Sequence, residues 1–196
     1  MTGLKTFLDS LLEAGVTRGD VPGVAAMATS GAETLYQGAF GERELGGGVA
    51  MGLDSVIAIA SMTKAVTATA AMQLVEKGKL LTHTAGFGYE IWHQEILDFQ
   101  AATGSPSTRT RTLASLKTPL LFDPGTKWNY GVNIDWAGQM VEAVSGQRLG
   151  AYMQDNIFSP LGMASSGFRA GLEMKARHAT VHLRGDDGRL TVPKSD

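Results

Sequence analysis

The chain has 196 residues, 43% hydrophobic and 18% charged, enough to bury a sizeable core in one domain or two small ones. A formal net charge of -2 gives no reason to expect a nucleic acid or an anionic membrane surface as partner. With no cysteine, the sequence excludes disulfides, thiolate zinc sites and cysteine nucleophiles.

Met1-Thr2-Gly3-Leu4-Lys5 lacks the basic-then-apolar succession of a signal peptide, and no apolar run reaches transmembrane length. A soluble, cytoplasmic protein is therefore expected. Leu4, Phe7, Leu8, Leu11 and Leu12 recur at helical spacing and predict an amphipathic helix that stops at Gly15. Pro22-Gly23 breaks the chain. Val24 to Thr29 and Leu35 to Phe40 then read as two strands joined by a turn around Ser30-Gly31-Ala32. Gly46-Gly47-Gly48 is a flexible loop that leads toward the apolar run Val56-Ile57-Ala58-Ile59-Ala60.

That run is expected to be extended and to deliver Ser61-Met62-Thr63-Lys64 to the start of a helix spanning about Met62 to Lys77, with Gly78 as its cap. Residues three apart share a helical face, so Lys64 would lie beside the Ser61 hydroxyl. The positive end of the helix dipole favours negative charge developing there. A hydroxyl beside a proton acceptor suits nucleophilic catalysis. The same four residues also read as a serine helix cap followed by a solvent-facing lysine. The helix is small and apolar nearly all round (Ala65, Val66, Ala68, Ala70, Ala71, Met72, Leu74, Val75), which predicts burial on every face. Burial would lower the pKa of Lys64 toward a neutral base.

Leu81-Thr82-His83-Thr84-Ala85-Gly86-Phe87-Gly88 reads as a structured loop, with His83 bonded within it rather than serving a Ser-His-Asp triad. His93, His178 and His182 read as surface residues. Ile91 to Phe99 predicts a short helix, and Ala101 to Arg111 a polar loop beside a binding cleft. Leu113 to Leu121 is a short apolar stretch. After the Pro124-Gly125 turn, Trp128 and Tyr130 alternate as in an extended segment. Tyr130 is placed either to reach into a cleft or to rest half-buried at a loop. Ile134, Ala137, Met140, Val141 and Val144 predict a helix capped by Gly146. Ala151 to Phe158 predicts another, stopped by Ser159-Pro160-Leu161-Gly162. Thr180 to Val192 reads as a surface hairpin around Asp186-Asp187-Gly188.

Three stretches in this order, Ser61-Met62-Thr63-Lys64, Leu81-Thr82-His83-Thr84-Ala85-Gly86 and Pro124-Gly125-Thr126-Lys127-Trp128-Asn129-Tyr130, resemble the serine beta-lactamase, penicillin-binding-protein and esterase superfamily. The likeness is nearest to the class C beta-lactamase-related carboxylesterases (family VIII esterases). Ile157-Phe158-Ser159-Pro160-Leu161-Gly162-Met163 is similar too, so the resemblance runs from about Pro22 to Met163. It implies an α/β (α+β), beta-lactamase/transpeptidase-like fold: an antiparallel sheet flanked by helices, plus a helical region. The whole chain, 1–196, would be a single catalytic unit, with the sheet part at about 1–60 and the helical part at about 61–165.

The resemblance also implies that Ser61 is the nucleophile, that Lys64 and Tyr130 together activate it and move its proton, and that the Ser61 N–H forms half of an oxyanion hole. No metal or organic cofactor is implied. Trp128 and Val132 would face the substrate. Class C beta-lactamases carry asparagine at the position of Val132, and Asn133 lies one residue too far along, which shifts the expectation toward short-chain carboxylic esters. A beta-lactamase or D-Ala-D-Ala peptidase, and a non-catalytic homologue that only binds ligands or partners, remain the alternatives. Two family features are missing from the sequence. Leu80 runs directly into Leu81, where relatives carry a further segment, and no strand with a Lys-Thr-Gly or Trp-Gly-Gly type motif follows. The exposed sheet edge that this implies leaves homo-oligomer formation open.

Overall fold

The computed structural model describes residues 2–74 and 81–193. The predicted Gly78 cap lies outside the described residues. The chain divides into two compact units, one made of residues up to Ile59 and from Arg169 onward, the other of Ala60–Phe168.

The first unit opens with α1 (Thr2–Thr17) and the antiparallel hairpin β1 (Gly23–Thr29) and β2 (Thr34–Gly41), in register from Gly23 opposite Gly41 to Thr29 opposite Thr34. The hairpin turn sits where Ser30-Gly31-Ala32 places it, its Ser30 Oγ accepting from the Glu33 N–H at 3.1 Å. The helix does not stop at Gly15. It runs to Thr17 and closes at Gly19, whose φ is +76°. There Asp20 N donates to Gly15 O and Gly19 N to Val16 O, each at 2.9 Å. This is the double hydrogen bond that ends a helix at a left-handed residue, so Gly15 supplies a carbonyl to the cap rather than the break itself. Tyr36, 5% exposed, ties the hairpin to α1 by donating to Asp9 Oδ1 at 2.9 Å.

Val56 pairs across this unit with the segment around His178: Val56 N donates to Arg177 O at 2.7 Å and Ala179 N to Val56 O at 2.8 Å. Only Val56 of the predicted extended run is bridged, and Ile57 and Ile59 are exposed. A short helix, α6 (Leu172–Ala176), leads to the predicted tail hairpin, β3 (Leu183–Arg184) with β4 (Leu190–Thr191). Among the described residues, the first unit thus holds two separate two-stranded antiparallel sheets.

The second unit is helical. A 3-10 turn, Ala60–Met62, runs into α2 (Thr63–Leu74), followed by α3 (Gln94–Thr103), 3-10 turns at Thr108–Thr110 and Leu113–Leu116, α4 (Asn133–Ser145) and α5 (Leu149–Met153). A π-helical turn, Gln154–Phe158, extends α5, so the predicted Ala151 to Phe158 helix begins two residues earlier and changes pitch midway. Its core joins Ala70 and Ala71 of α2, Ala137 and Val141 of α4, and Tyr152, Met153, Ile157 and Phe158. Each large side chain buried there is worth about 1.5–3 kcal/mol relative to exposure. Gly138 lets α4 approach closely, since a Cβ there would stand 2.9 Å from Leu149 Cδ2.

The expectation that α2 is buried all round is corrected. It buries Thr67, Ala70 and Ala71, while Ala65, Thr69, Met72 and Gln73 face outward. Alanine and threonine fit a core and a surface alike, so the small-residue run could not define a face. The helix predicted over Ile91 to Phe99 forms as α3, starting at Gln94 and ending on Gly104 at φ +70°. Ile91 and Trp92 precede it and are exposed. Among the described residues, no helix is long and apolar enough to cross a membrane.

Candidate active site

Ser61 sits in the 3-10 turn just before α2, one turn from Lys64, and Lys64 Nζ donates to Ser61 Oγ at 3.4 Å. The residue before the serine, Ala60, has φ +44°. A Cβ-bearing residue in the left-handed region is strained, and such strain concentrates where a side chain must be aimed.

Tyr130 joins this pair. Lys64 Nζ lies 5.0 Å from the Tyr130 ring centre and 5.9 Å from that of Tyr89. Burial pushes the Tyr130 pKa up, yet hydrogen bonding by Lys64 and Ser61 and the positive charge of Lys64 outweigh it and leave the phenol below its ordinary value. Burial lowers Lys64, but its bonds to Tyr130 and Tyr89 and the attraction of both phenols prevail, and the ammonium is held above its ordinary value. This overturns the expected neutral lysine. The cause is the half-exposed α2, which leaves desolvation too weak to offset two phenols.

Tyr130 is not in a strand. The segment 123–132 is a loop held by the chain opposite it, because tight Pro-Gly geometry and backbone pairing with the 81–93 loop fix it instead. Gly125 N donates to Thr84 O at 2.7 Å, Asn129 N to His83 O at 2.8 Å and Leu121 N to Gly86 O at 2.9 Å. The Asn129 side chain donates to Phe87 O at 2.9 Å and accepts from His93 Nε2 at 3.2 Å. Gly131 is required by the closeness of this lacing: a Cβ there would fall 2.6 Å from Phe87 O.

Contrary to expectation, the His83 side chain is bonded not within its own loop but to α4 across from it. Its ring packs on Tyr130 at 4.8 Å between centroids, and Nδ1 accepts from the Asn133 side chain at 3.1 Å. Burial, with the charge of Lys64, holds His83 below the ordinary imidazole value. Asn133 is fully buried in this contact and does not reach a cleft. His93 and His182 are corrected from surface residues to half-buried hydrogen-bonding ones. His182 Nε2 accepts from Leu45 N at 3.1 Å within the first unit.

Tyr89 and Trp92 complete the aromatic wall around Tyr130, at 5.7 and 5.9 Å between centroids. The sequence reading missed Tyr89, whose signal was its position six residues after His83 in the loop that laces Tyr130. Trp128 is 64% exposed and meets His83 edge-on at 6.2 Å. Val132 is 1% exposed at the start of α4 and lines an open depression of about 630 Å³. Tyr89 and Asp135 line that depression too. Asp135 is exposed as a residue, but packing around its carboxyl raises its pKa above the ordinary value despite the attraction of Lys64.

Among curated proteins, the chain is 30% identical over 227 residues to lovastatin esterase of Penicillium rubens, covering 92% of this chain and 57% of that protein. It is 38% identical over 120 residues to monacolin J acid methylbutanoyltransferase of Aspergillus terreus, covering 59% of this chain and 29% of the other. Among solved structures, unliganded simvastatin synthase from Aspergillus terreus superimposes with a TM-score of 0.84 at 27% identity, covering 96% of this chain and 61% of that one. The chain thus spans little more than half the length of lovastatin esterase and of simvastatin synthase. The Beta-lactamase family profile matches it in two stretches, residues 8–80 and 78–196, which meet where Leu80 runs into Leu81. With its beta-lactamase/transpeptidase-like fold and its similarity to esterases and acyltransferases, the chain belongs to the beta-lactamase family.

Proposed function

We propose that this chain carries the acyl-transfer centre of a serine esterase acting on short-chain carboxylic esters. The observation that carries the reading is the convergence of the Ser61 hydroxyl, the Lys64 ammonium and the Tyr130 phenol on one another. Tyr130 takes the Ser61 proton as Oγ attacks the ester carbonyl, with Lys64 stabilising the phenolate. The Ser61 N–H donates to the developing oxyanion. As the intermediate collapses, Tyr130 returns the proton to the departing alcohol, and the acyl group remains on Ser61. Water, activated by the same phenolate, releases the acid. Trp128 and Val132 contact the substrate.

A second reading replaces that water by an alcohol acceptor. The similarity to a methylbutanoyltransferase favours it. Two functional readings compete from outside ester chemistry, a beta-lactamase or peptidase and a non-catalytic binder. The test is hydrolysis of p-nitrophenyl acetate and butyrate by the chain and by Ser61→Ala. Turnover that vanishes in the variant is expected. Identical rates for the two proteins would sink the proposal, and fast nitrocefin turnover with negligible ester cleavage would replace it with the lactamase reading. Adding an alcohol and measuring its butyrate ester against free butyrate separates transfer from hydrolysis.

A further inference from the structure

Behind the Tyr130 phenol stand two side chains that the proton transfer does not use, His83 and Asn133. His83 lies at φ +58°, its carbonyl accepting at 2.8 Å from the N–H of Asn129, one residue before Tyr130. Its ring is 4.8 Å from that of Tyr130, tilted by 35°. Asn133, the first residue of α4, is fully buried. Its Nδ2 donates to His83 Nδ1 at 3.1 Å and to Asn129 O at 3.4 Å.

Those two contacts fix which way the amide faces. Turned over, it would set Oδ1 against the Asn129 carbonyl, acceptor to acceptor. As it stands, Oδ1 is buried and accepts no hydrogen bond among the described residues. A buried polar atom without a partner costs free energy, and a leucine would fill the volume without that cost. Packing alone therefore does not account for asparagine at this position. What the amide supplies is an N–H aimed at Nδ1. A donor there requires a lone pair on Nδ1, so the imidazole is neutral and carries its proton on Nε2. An imidazolium would turn Nδ1–H against the Asn133 N–H, donor to donor. Burial and the charge of Lys64 on α2 act in the same direction. Tyr130 faces the ring from the 123–132 loop, and Asp135 of α4 bears on Tyr89 and Tyr130 rather than on His83.

We propose that Asn133 and His83 are positioning residues for Tyr130: the amide locks His83 as the neutral Nε2–H tautomer, and that uncharged ring buttresses the phenol toward Lys64 and Ser61. A neutral ring stacks on Tyr130 without competing with Lys64 for the phenolate and without repelling the ammonium. An imidazolium at the same place would do both. The inference rests on the reading in which Tyr130 moves the Ser61 proton, but two of its readouts need no turnover.

The first readout is long-range proton–nitrogen correlation on the chain labelled with nitrogen-15 histidine, which reports the tautomer and charge of each ring. His83→Asn assigns the His83 signal by its loss, and asparagine tolerates the left-handed φ. His83 should stay neutral and Nε2–H from about pH 8 to about pH 5. In Asn133→Leu the ring should show both tautomers and titrate at higher pH. Asn133→Asp keeps the shape but offers only an acceptor; it should drive the ring to Nδ1–H, and it stands in where Asn133→Leu fails to fold. The second readout is the phenolate transition near 295 nm, assigned by its loss in Tyr130→Phe. It should move up by about half a pH unit or more in His83→Asn, as the phenol drifts from Lys64. On p-nitrophenyl butyrate the same variant should lower kcat about tenfold or more and leave KM within about twofold, a split that a loosened fold does not produce.

A wild-type ring that is Nδ1–H or charged near neutrality, or one that keeps Nε2–H in whichever Asn133 variant folds, overturns the lock. A phenolate transition that stays in place, or an unchanged kcat, in His83→Asn overturns the buttress. A chain that hydrolyses no ester but shows the stated tautomer and phenolate shifts keeps the pair and loses the catalytic reading. One whose ester hydrolysis and phenolate transition ignore His83→Asn does the reverse.

Discussion

Lys64 holds its ammonium 5.0 Å from the centre of the Tyr130 ring, and the phenol helps keep that ammonium protonated. The two groups therefore titrate as one system, and neither can be removed without changing the proton affinity of the other. Tyr130→Phe and Lys64→Met should each lower kcat/KM by about 10²–10⁴-fold, the range of a lost general base. The double variant should cost little more than the worse single one, because residues acting as a unit are not additive. Steady-state kinetics on p-nitrophenyl butyrate checks this, and additive losses would argue that the two residues act separately.

The direction of the Tyr130 shift fixes a pH dependence. Its phenol ionises below the ordinary tyrosine value of about 10 because Lys64 favours the phenolate, while Lys64 itself stays protonated to above its own ordinary value. kcat/KM should accordingly rise with pH through the Tyr130 ionisation and fall only once Lys64 loses its proton. Removing the cation in Lys64→Met should move the phenolate absorbance transition near 295 nm to higher pH. A transition that stays in place would show that Lys64 does not set it.

Glu90 makes a stability prediction. Burial pushes its carboxyl up, but the hydrogen bonds from Ser107 and Thr108 prevail and hold it below the ordinary value. The native state therefore binds this proton less readily than the unfolded chain. The contribution is complete above the unfolded pKa of about 4.3 and is lost as pH falls through the folded value. Glu90→Gln should lower stability near neutrality by about 1–3 kcal/mol and flatten that acid limb, seen in thermal unfolding from pH 7 to pH 3.

Gly131→Ala should cost about 1–3 kcal/mol, because its Cβ would be driven to 2.6 Å from Phe87 O and 2.7 Å from Gly88, both backbone contacts that cannot swing aside. The displaced neighbour is Tyr130, so kcat should fall further than the loss of folded protein explains. A variant with wild-type melting temperature and wild-type kcat would mean the loop relaxes freely.

The contact between Met153 and its neighbours gives a control far from the chemistry. Met153 is completely buried in the helical core. Met153→Ala should destabilise by about 2–5 kcal/mol while kcat of the folded fraction stays within about twofold. Chemical denaturation together with active-site titration checks both halves.

Local chemistry made much of this molecule readable in advance. The Ser30-Gly31-Ala32 turn, the hairpin around Asp187-Gly188 and the α4 helix with its Gly146 cap follow from turn residues and 3.6-residue periodicity. So does the neighbourhood of Ser61 and Lys64, because residues three apart across a continuous helical turn share a face. What periodicity could not decide was which way a run of small residues faces. The alanines of α2 suit a core or a surface, and only packing against α4 and α5 picked Thr67, Ala70 and Ala71. The protonation state of Lys64 followed from that choice, since it depends on how much water remains and on Tyr89 and Tyr130 from distant stretches. Tyr89 and His83 were likewise visible as letters but not as neighbours of Tyr130. Sequence determined the segments and the one contact that a single helical turn enforces. Tertiary structure decided every relationship among groups tens of residues apart, because charge, solvation and distance exist only once the loops are laced together.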